Sequence, residues 1–127
     1  MEGYTALECY ASAIKVDGQL DLLLSLLAQI SSLCKNGELQ EDVRDGIRKI
    51  ILTCLVLVRN ETKNALQNTK QREFQSIMNN IDDAISLAEK DEYSAAGTIL
   101  AVLTLDPHLL VNRARDILES KKRDWIF

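Results

Sequence analysis

The chain has 127 residues, of which 46 % are hydrophobic and 27 % charged, and it carries a net charge of −4. That is the size and balance of one globular domain, able to bury a core without disulfides or metals. The negative balance argues against a nucleic-acid footprint spread over the whole surface.

The charge is uneven along the chain. Residues 1–58 hold five basic and eight acidic groups, residues 59–127 ten and eleven. Between positions 59 and 72 four cations, Arg59, Lys63, Lys70 and Arg72, face only Glu61, so a local basic patch is available. The three cysteines, Cys9, Cys34 and Cys54, are widely spaced and fall at apolar positions of helical patterns. They read as buried, reduced thiols, and with no CxxC pair there is no sequence support for zinc or redox chemistry. No cofactor is expected. Met1-Glu2 opens without a basic-then-apolar leader, and the densest apolar segment, Leu20 to Leu33, contains Asp21 and Gln29 and is shorter than a bilayer requires. No membrane association and a cytoplasmic, reducing setting are the expectations.

Thr5 and Glu8 have capping-box spacing and predict the start of a first helix, with Leu7, Tyr10, Ala11 and Ile14 on one face. Asp17-Gly18 predicts a break, with Asp17 capping the next helix. That second helix is expected over about 19–34, where Leu20, Leu23, Leu27, Ile30 and Cys34 form one stripe and Leu22, Leu26 and Leu33 another. Asn36-Gly37 is a helix stop and tight turn, which predicts antiparallel packing of the helices it joins.

The third helix is expected at the centre of the molecule. Leu39, Val43, Ile47, Ile50, Cys54 and Leu57 succeed one another at steps of three and four, and Ile51, Leu55 and Val58 form a second line beside them. From Ile50 to Val58 only Thr53 is not apolar, so this segment predicts a helix enclosed by others. Beyond Val58 the sequence turns polar, which predicts a solvated helical extension with a break near Asn68-Thr69.

A fourth helix is expected from the period of Phe74, Ile77, Met78, Ile81, Ala84, Ile85 and Ala88, ending near Lys90. Asp91 is the candidate cap of a fifth, carrying Tyr93, Ala96, Ile99, Leu100 and Leu103. Asp106-Pro107 is a start signal for a sixth, with Leu110, Ala114, Ile117 and Leu118 inward. The expectation is an all-α fold: a single domain over 1–127, an antiparallel bundle of five to six helices built from αα-hairpins, with the second, third and fourth forming the core. An apolar and basic tail occupies 121–127.

Catalytic groups are sparse. His108 is the one histidine and sits beside Pro107 in a first helical turn, where a surface role outweighs general-base chemistry. Asp82 and Asp83 are adjacent and so point in different directions from one helix. No Glu-x-x-His pair, phosphate-binding glycine loop or nucleophile elbow occurs. The expectation is that the protein is not an enzyme.

Two local resemblances remain. Ala6, Tyr10 and Ala13, with Gly18 where proline is usual, resemble the second helix of a tetratricopeptide repeat over about 15 residues, and Tyr93 through Ala96 to Asp106-Pro107 does so less closely. Arg59-Asn60-x-x-x-Asn64 resembles the Arg-polar-x-x-x-His signature of HEPN domains, all-helical bundles that often cleave RNA. Asn64 stands where that family has its catalytic histidine, so the resemblance implies binding of RNA or a nucleotide through Arg59 and Lys63 rather than hydrolysis.

The favoured functional signal is the tail. Trp125, Ile126 and Phe127 place three large apolar groups just beyond Lys121, Lys122 and Arg123, and Trp and Arg are frequent interface anchors. The expectation is a non-enzymatic interaction or assembly module that uses Arg123, Trp125, Ile126 and Phe127 on a protein partner or on a second copy as a homodimer. Its exposed apolar patch is expected around the tail and the last two helices. The alternative is a degenerate HEPN-like bundle binding RNA or nucleotide through Arg59, Lys63, Lys70 and Arg72.

Overall fold

The computed structural model describes residues 1–35, 39–103 and 105–121. All five elements among them are helices: α1 (Gly3–Lys35), α2 (Glu41–Thr69), α3 (Arg72–Ala88), α4 (Tyr93–Val102) and α5 (Leu105–Lys121). α4 and α5 succeed one another across the turn at Leu103 and together make the fourth side of a four-sided bundle.

The sides run alternately up and down. Lys15 on α1 pairs with Glu61 far along α2 at 3.3 Å, whereas Leu22 and Leu26 meet Cys54 and Leu57 nearer its middle. On α3, Asp82 meets Arg59 of α2, and the turn after α3 returns to the start of α2 through Asp91 and Arg48. Along α1 in the other direction, Leu27 approaches Gly97 of α4 and Asp17 reaches His108 of α5. α1 therefore lies between α2 and the α4–α5 side, and α3 lies across from it between the same two neighbours.

The core is built from one stripe on each helix. Cys9, Ala13, Val16, Leu20, Leu23, Leu27 and Ile30 point inward from α1, Ile51, Leu55 and Val58 from α2, and Phe74, Ile77, Ile81 and Ala84 from α3. Tyr93, Ala96, Leu100, Leu110 and Ala114 close it from the fourth side. Thr62 and Thr69 continue the α2 stripe into the interior. Their hydroxyls donate to the carbonyls of Val58 (2.8 Å) and Ala65 (2.7 Å), which satisfies two otherwise costly buried groups. Tyr93–Lys121 is long and apolar enough on length and composition alone to cross a membrane; here its inward residues complete this core.

Several expectations are corrected. The first and second helices are one continuous helix through Asp17-Gly18, and it begins at Gly3, ahead of the Thr5 capping box. Val16 and Leu20 are both fully buried on either side of Gly18, and their packing outweighs the cost of about 1 kcal/mol for a glycine inside a helix. The same continuity removes the helix end at Gly18 that the tetratricopeptide resemblance implies. Bundle sides thus number four, the helical segments five, and a sixth helix is not among the described residues. α2 is not enclosed: it touches α1 and α3, and of its first apolar line Val43, Ile50 and Leu57 are exposed while Ile47 and Cys54 are half-buried against the core. Of the cysteines, Cys9 is buried, Cys54 half-buried and Cys34 exposed, all as free thiols.

Candidate protein-interaction surface

The outward line of α2 lies beside the outward leucines of α1. Leu57 is 59 % exposed, Ile50 57 % and Leu22 74 %, and Leu33, Val43 and Val56 are exposed as well. α1 and α2 are antiparallel, which brings Leu22 and Leu26 level with Cys54 and Leu57. Together with Gln19, Leu23 and Val58 these residues line a groove between the two helices. A second, shallower depression adjoins it on α2, lined by Leu52, Thr53, Val56 and Leu57. Leu57 belongs to both, so the groove and the depression form one apolar face across the first helical hairpin. Gln19 closes its end with a side-chain oxygen that is shielded and has no donor.

Each helix carries two apolar stripes, and one core can absorb only one of them. On α2 the interior takes Ile51, Leu55 and Val58, and the line through Val43, Ile50 and Leu57 is left over. Apolar patches of more than a few hundred Å² on a soluble domain mark sites of association. A smaller exposed set, Val102, Leu105 and Leu109, lies across the α4–α5 junction.

The polar clusters fasten the fold. Asp91 accepts from Arg48 Nε and Nη2 at 2.8 Å each, from Arg44 Nη2 at 3.2 Å and from the Tyr93 hydroxyl at 3.0 Å. The Arg48 hydrogen bonds lead in holding the Asp91 carboxyl down at about 2, and burial together with the bond to Asp91 pushes Tyr93 up to about 12. This cluster ties the α3–α4 turn to the start of α2. At the opposite end Arg113 joins α5 to α3 through Glu73 (2.8 Å) and Gln71 (3.0 Å), and Arg113 holds the Glu73 carboxyl below its usual range. Burial pushes the Cys9 thiol up, which disfavours the reactive thiolate. His108 Nε2 lies 3.0 Å from Asp17 Oδ2 and joins α5 to α1. No group of three metal-ligating side chains occurs among the described residues.

The expected site residues fall in different places. Arg123, Trp125, Ile126 and Phe127 lie outside the described residues. Arg59 is turned onto α3, where Nε donates to Asp82 Oδ1 and Nη2 lies 3.5 Å from Oδ2. Lys63 and Lys70 are exposed on the outer side of α2, and Lys70 closes that helix in a left-handed conformation (φ 57°). Arg72 is exposed at the start of α3, and Asn64 is exposed. The residues not anticipated as a site are Leu22, Leu26, Ile50, Cys54, Val56 and Leu57. Their signal is present in the sequence as the doubled stripes of α1 and α2, for which the sequence expectation is burial on both sides. No family model, curated protein or solved structure matches the chain.

Proposed function

We propose that this protein is a non-enzymatic interaction or assembly module, and that it docks through the outer apolar face of the α1–α2 hairpin. The observation that carries the reading is the pairing of the Leu22–Leu26 and Cys54–Leu57 groups around one groove, on helices whose other stripes already fill the core. A groove between two antiparallel helices accepts a third helix through its apolar face, so the occupant is a helical or extended apolar segment of a protein. The polar clusters support this reading, because each is occupied in joining helices. The HEPN-like alternative draws less support: Lys63, Lys70 and Arg72 are free to meet a phosphate, but Arg59, the residue that carries the resemblance, is neutralised by Asp82.

The test is association of the wild-type chain and of a Leu22→Glu/Leu57→Glu chain, read as self-association by light scattering and as partner capture by affinity. Both positions are exposed, so circular dichroism and the thermal midpoint are expected to stay the same while association is lost. Equal association by both chains contradicts the reading.

A further inference from the structure

Independently of the α1–α2 docking face, we infer that a separate apolar stripe on the first half of α1 is the seat of the chain's own residues Trp125, Ile126 and Phe127. Tyr4, Leu7, Ala11 and Ile14 succeed one another at steps of three, four and three, and all four are exposed. They lie opposite Ala6, Cys9, Ala13 and Val16, which α1 turns into the core. Tyr10, Ile14 and Asp17 follow at steps of four and three, and Asp17 meets His108 of α5, so the Ile14 edge of the stripe borders α5. On α5 the corresponding line is His108, Val111, Arg115 and Leu118, of which Val111 and Leu118 are half-buried. The seam between the two helices is therefore apolar and open on its outer side.

The place where α5 ends selects the occupant. α1 and α5 are antiparallel, and both rise about 1.5 Å per residue. Counted from the Asp17–His108 pair, Lys121 at the end of α5 stands level with Tyr4. Fully extended, residues 122–127 span about 20 Å. Ile14 is about 15 Å along α1 from Tyr4, and neighbouring helix axes stand about 8–10 Å apart. A tail turned back along the α1–α5 seam thus brings Trp125 to Leu7 and Phe127 to Ile14. Leu22, about 27 Å from the same level, is out of its reach. Charge agrees with this path: residues 1–14 contain Glu2 and Glu8 and no lysine or arginine, and Lys122 and Arg123 lead into the apolar triplet. Tethered to the same chain, the triplet meets the stripe at an effective concentration of about a millimolar, ahead of a free partner of equal chemistry.

Trp125 is the one tryptophan of the chain, so its fluorescence reports on the tail alone. The test compares acrylamide quenching and emission wavelength for the full-length wild type, for Leu7→Glu/Ile14→Glu and for Leu22→Glu/Leu57→Glu, each against its own urea-unfolded form. A tail docked about two-thirds of the time lowers the quenching constant about threefold, as the average over two states. Wild type is expected to show at least that protection and a blue-shifted emission, both independent of protein concentration. Leu7→Glu/Ile14→Glu is expected to quench like the unfolded chain, and Leu22→Glu/Leu57→Glu to keep the wild-type protection. Both Leu7 and Ile14 are exposed, circular dichroism confirms that the variants are folded, and Leu7→Ser/Ile14→Ser repeats the test with a smaller perturbation. Wild-type quenching equal to that of the unfolded chain overturns the inference. So does protection that survives both substitutions at Leu7 and Ile14, which seats the tail elsewhere, and protection that grows with concentration, which seats it on a second copy.

Discussion

Leu55 and Leu57 stand two residues apart on α2 and have opposite fates. Leu55 is fully buried against the other helices, and Leu57 is 59 % exposed on the outer face. Leu55→Ala is expected to cost about 2–5 kcal/mol in chemical denaturation, as a core truncation that leaves a cavity. Leu57→Ala is expected to stay within about 0.5 kcal/mol. Equal losses would contradict the assignment of the two stripes. Both stripes are plain in the sequence, but a period cannot say which of two apolar lines faces the core, since both fit a helix equally well. The neighbours α1 and α3 make the choice: Ile51, Leu55, Val58, Thr62 and Ala65 form a line that stays apolar or self-satisfied for the full contact, whereas the line through Leu57 reaches Glu61 and Asn64.

Asp91 gives the stability of the chain a pH dependence. Its carboxyl is held at about 2 in the folded chain, against an ordinary 3.8, chiefly by the hydrogen bonds from Arg48. A depressed folded value means stability that is present above about pH 4 and lost as the pH falls through 2. Solvent still reaches 19 % of this side chain, so the contribution is about 1–2 kcal/mol. Tyr93 works in the opposite sense: with its hydroxyl pushed up to about 12, its contribution is present below pH 10 and lost as the pH rises through 12. Urea unfolding of wild type and Asp91→Asn from pH 2 to 6 is expected to differ by that amount at pH 6 and to converge at pH 2. A constant gap across the range would refute the assignment to Asp91.

Among the elements, α1 shows where local signals give way. Asp17-Gly18 reads as a break, yet the helix passes through it because inward residues on both sides pack against α5 and α2. A methyl group added at Gly18 meets nothing within 4 Å. Gly18→Ala is therefore expected to stabilise the chain by about 0.5–1 kcal/mol, through helix propensity alone. A loss of stability would mean that a bend at this position is part of the native structure. Elsewhere local signals are sufficient. The period from Phe74 to Ala88 sets α3, the polar continuation of α2 is helical to Thr69, and the start of α5 lies next to Asp106-Pro107. Asp91 reads as a helix cap from its neighbours in sequence. In the structure it is a left-handed turn residue (φ 60°) held by two arginines more than forty positions upstream, a contact that no local pattern encodes.

The whole molecule explains why the apolar face is left over. In a four-sided bundle every side has two neighbours and one outer surface, so a helix that is apolar nearly all round must leave part of itself uncovered. The all-helical class is legible from period and capping; the number of sides is not, because it depends on whether α1 bends and on α4 and α5 both packing between α1 and α3. The exposed apolar face is legible as an excess of apolar positions in α1 and α2, but its place is not, since the sequence draws attention to the aromatic tail.

Cysteine labelling reads coverage of the α1–α2 face directly. Cys54 lies in the groove between α1 and α2, and Cys34 is exposed at the far end of α1, away from it. Rates of thiol modification are measured for both as the protein concentration, or that of a captured partner, is raised. Cys54 is predicted to become protected as the face is covered while Cys34 reacts at an unchanged rate, and Leu22→Glu/Leu57→Glu is predicted to abolish the protection. Rates for Cys54 that never fall below those of the isolated chain, at any concentration and with any partner bound, would contradict docking through this face.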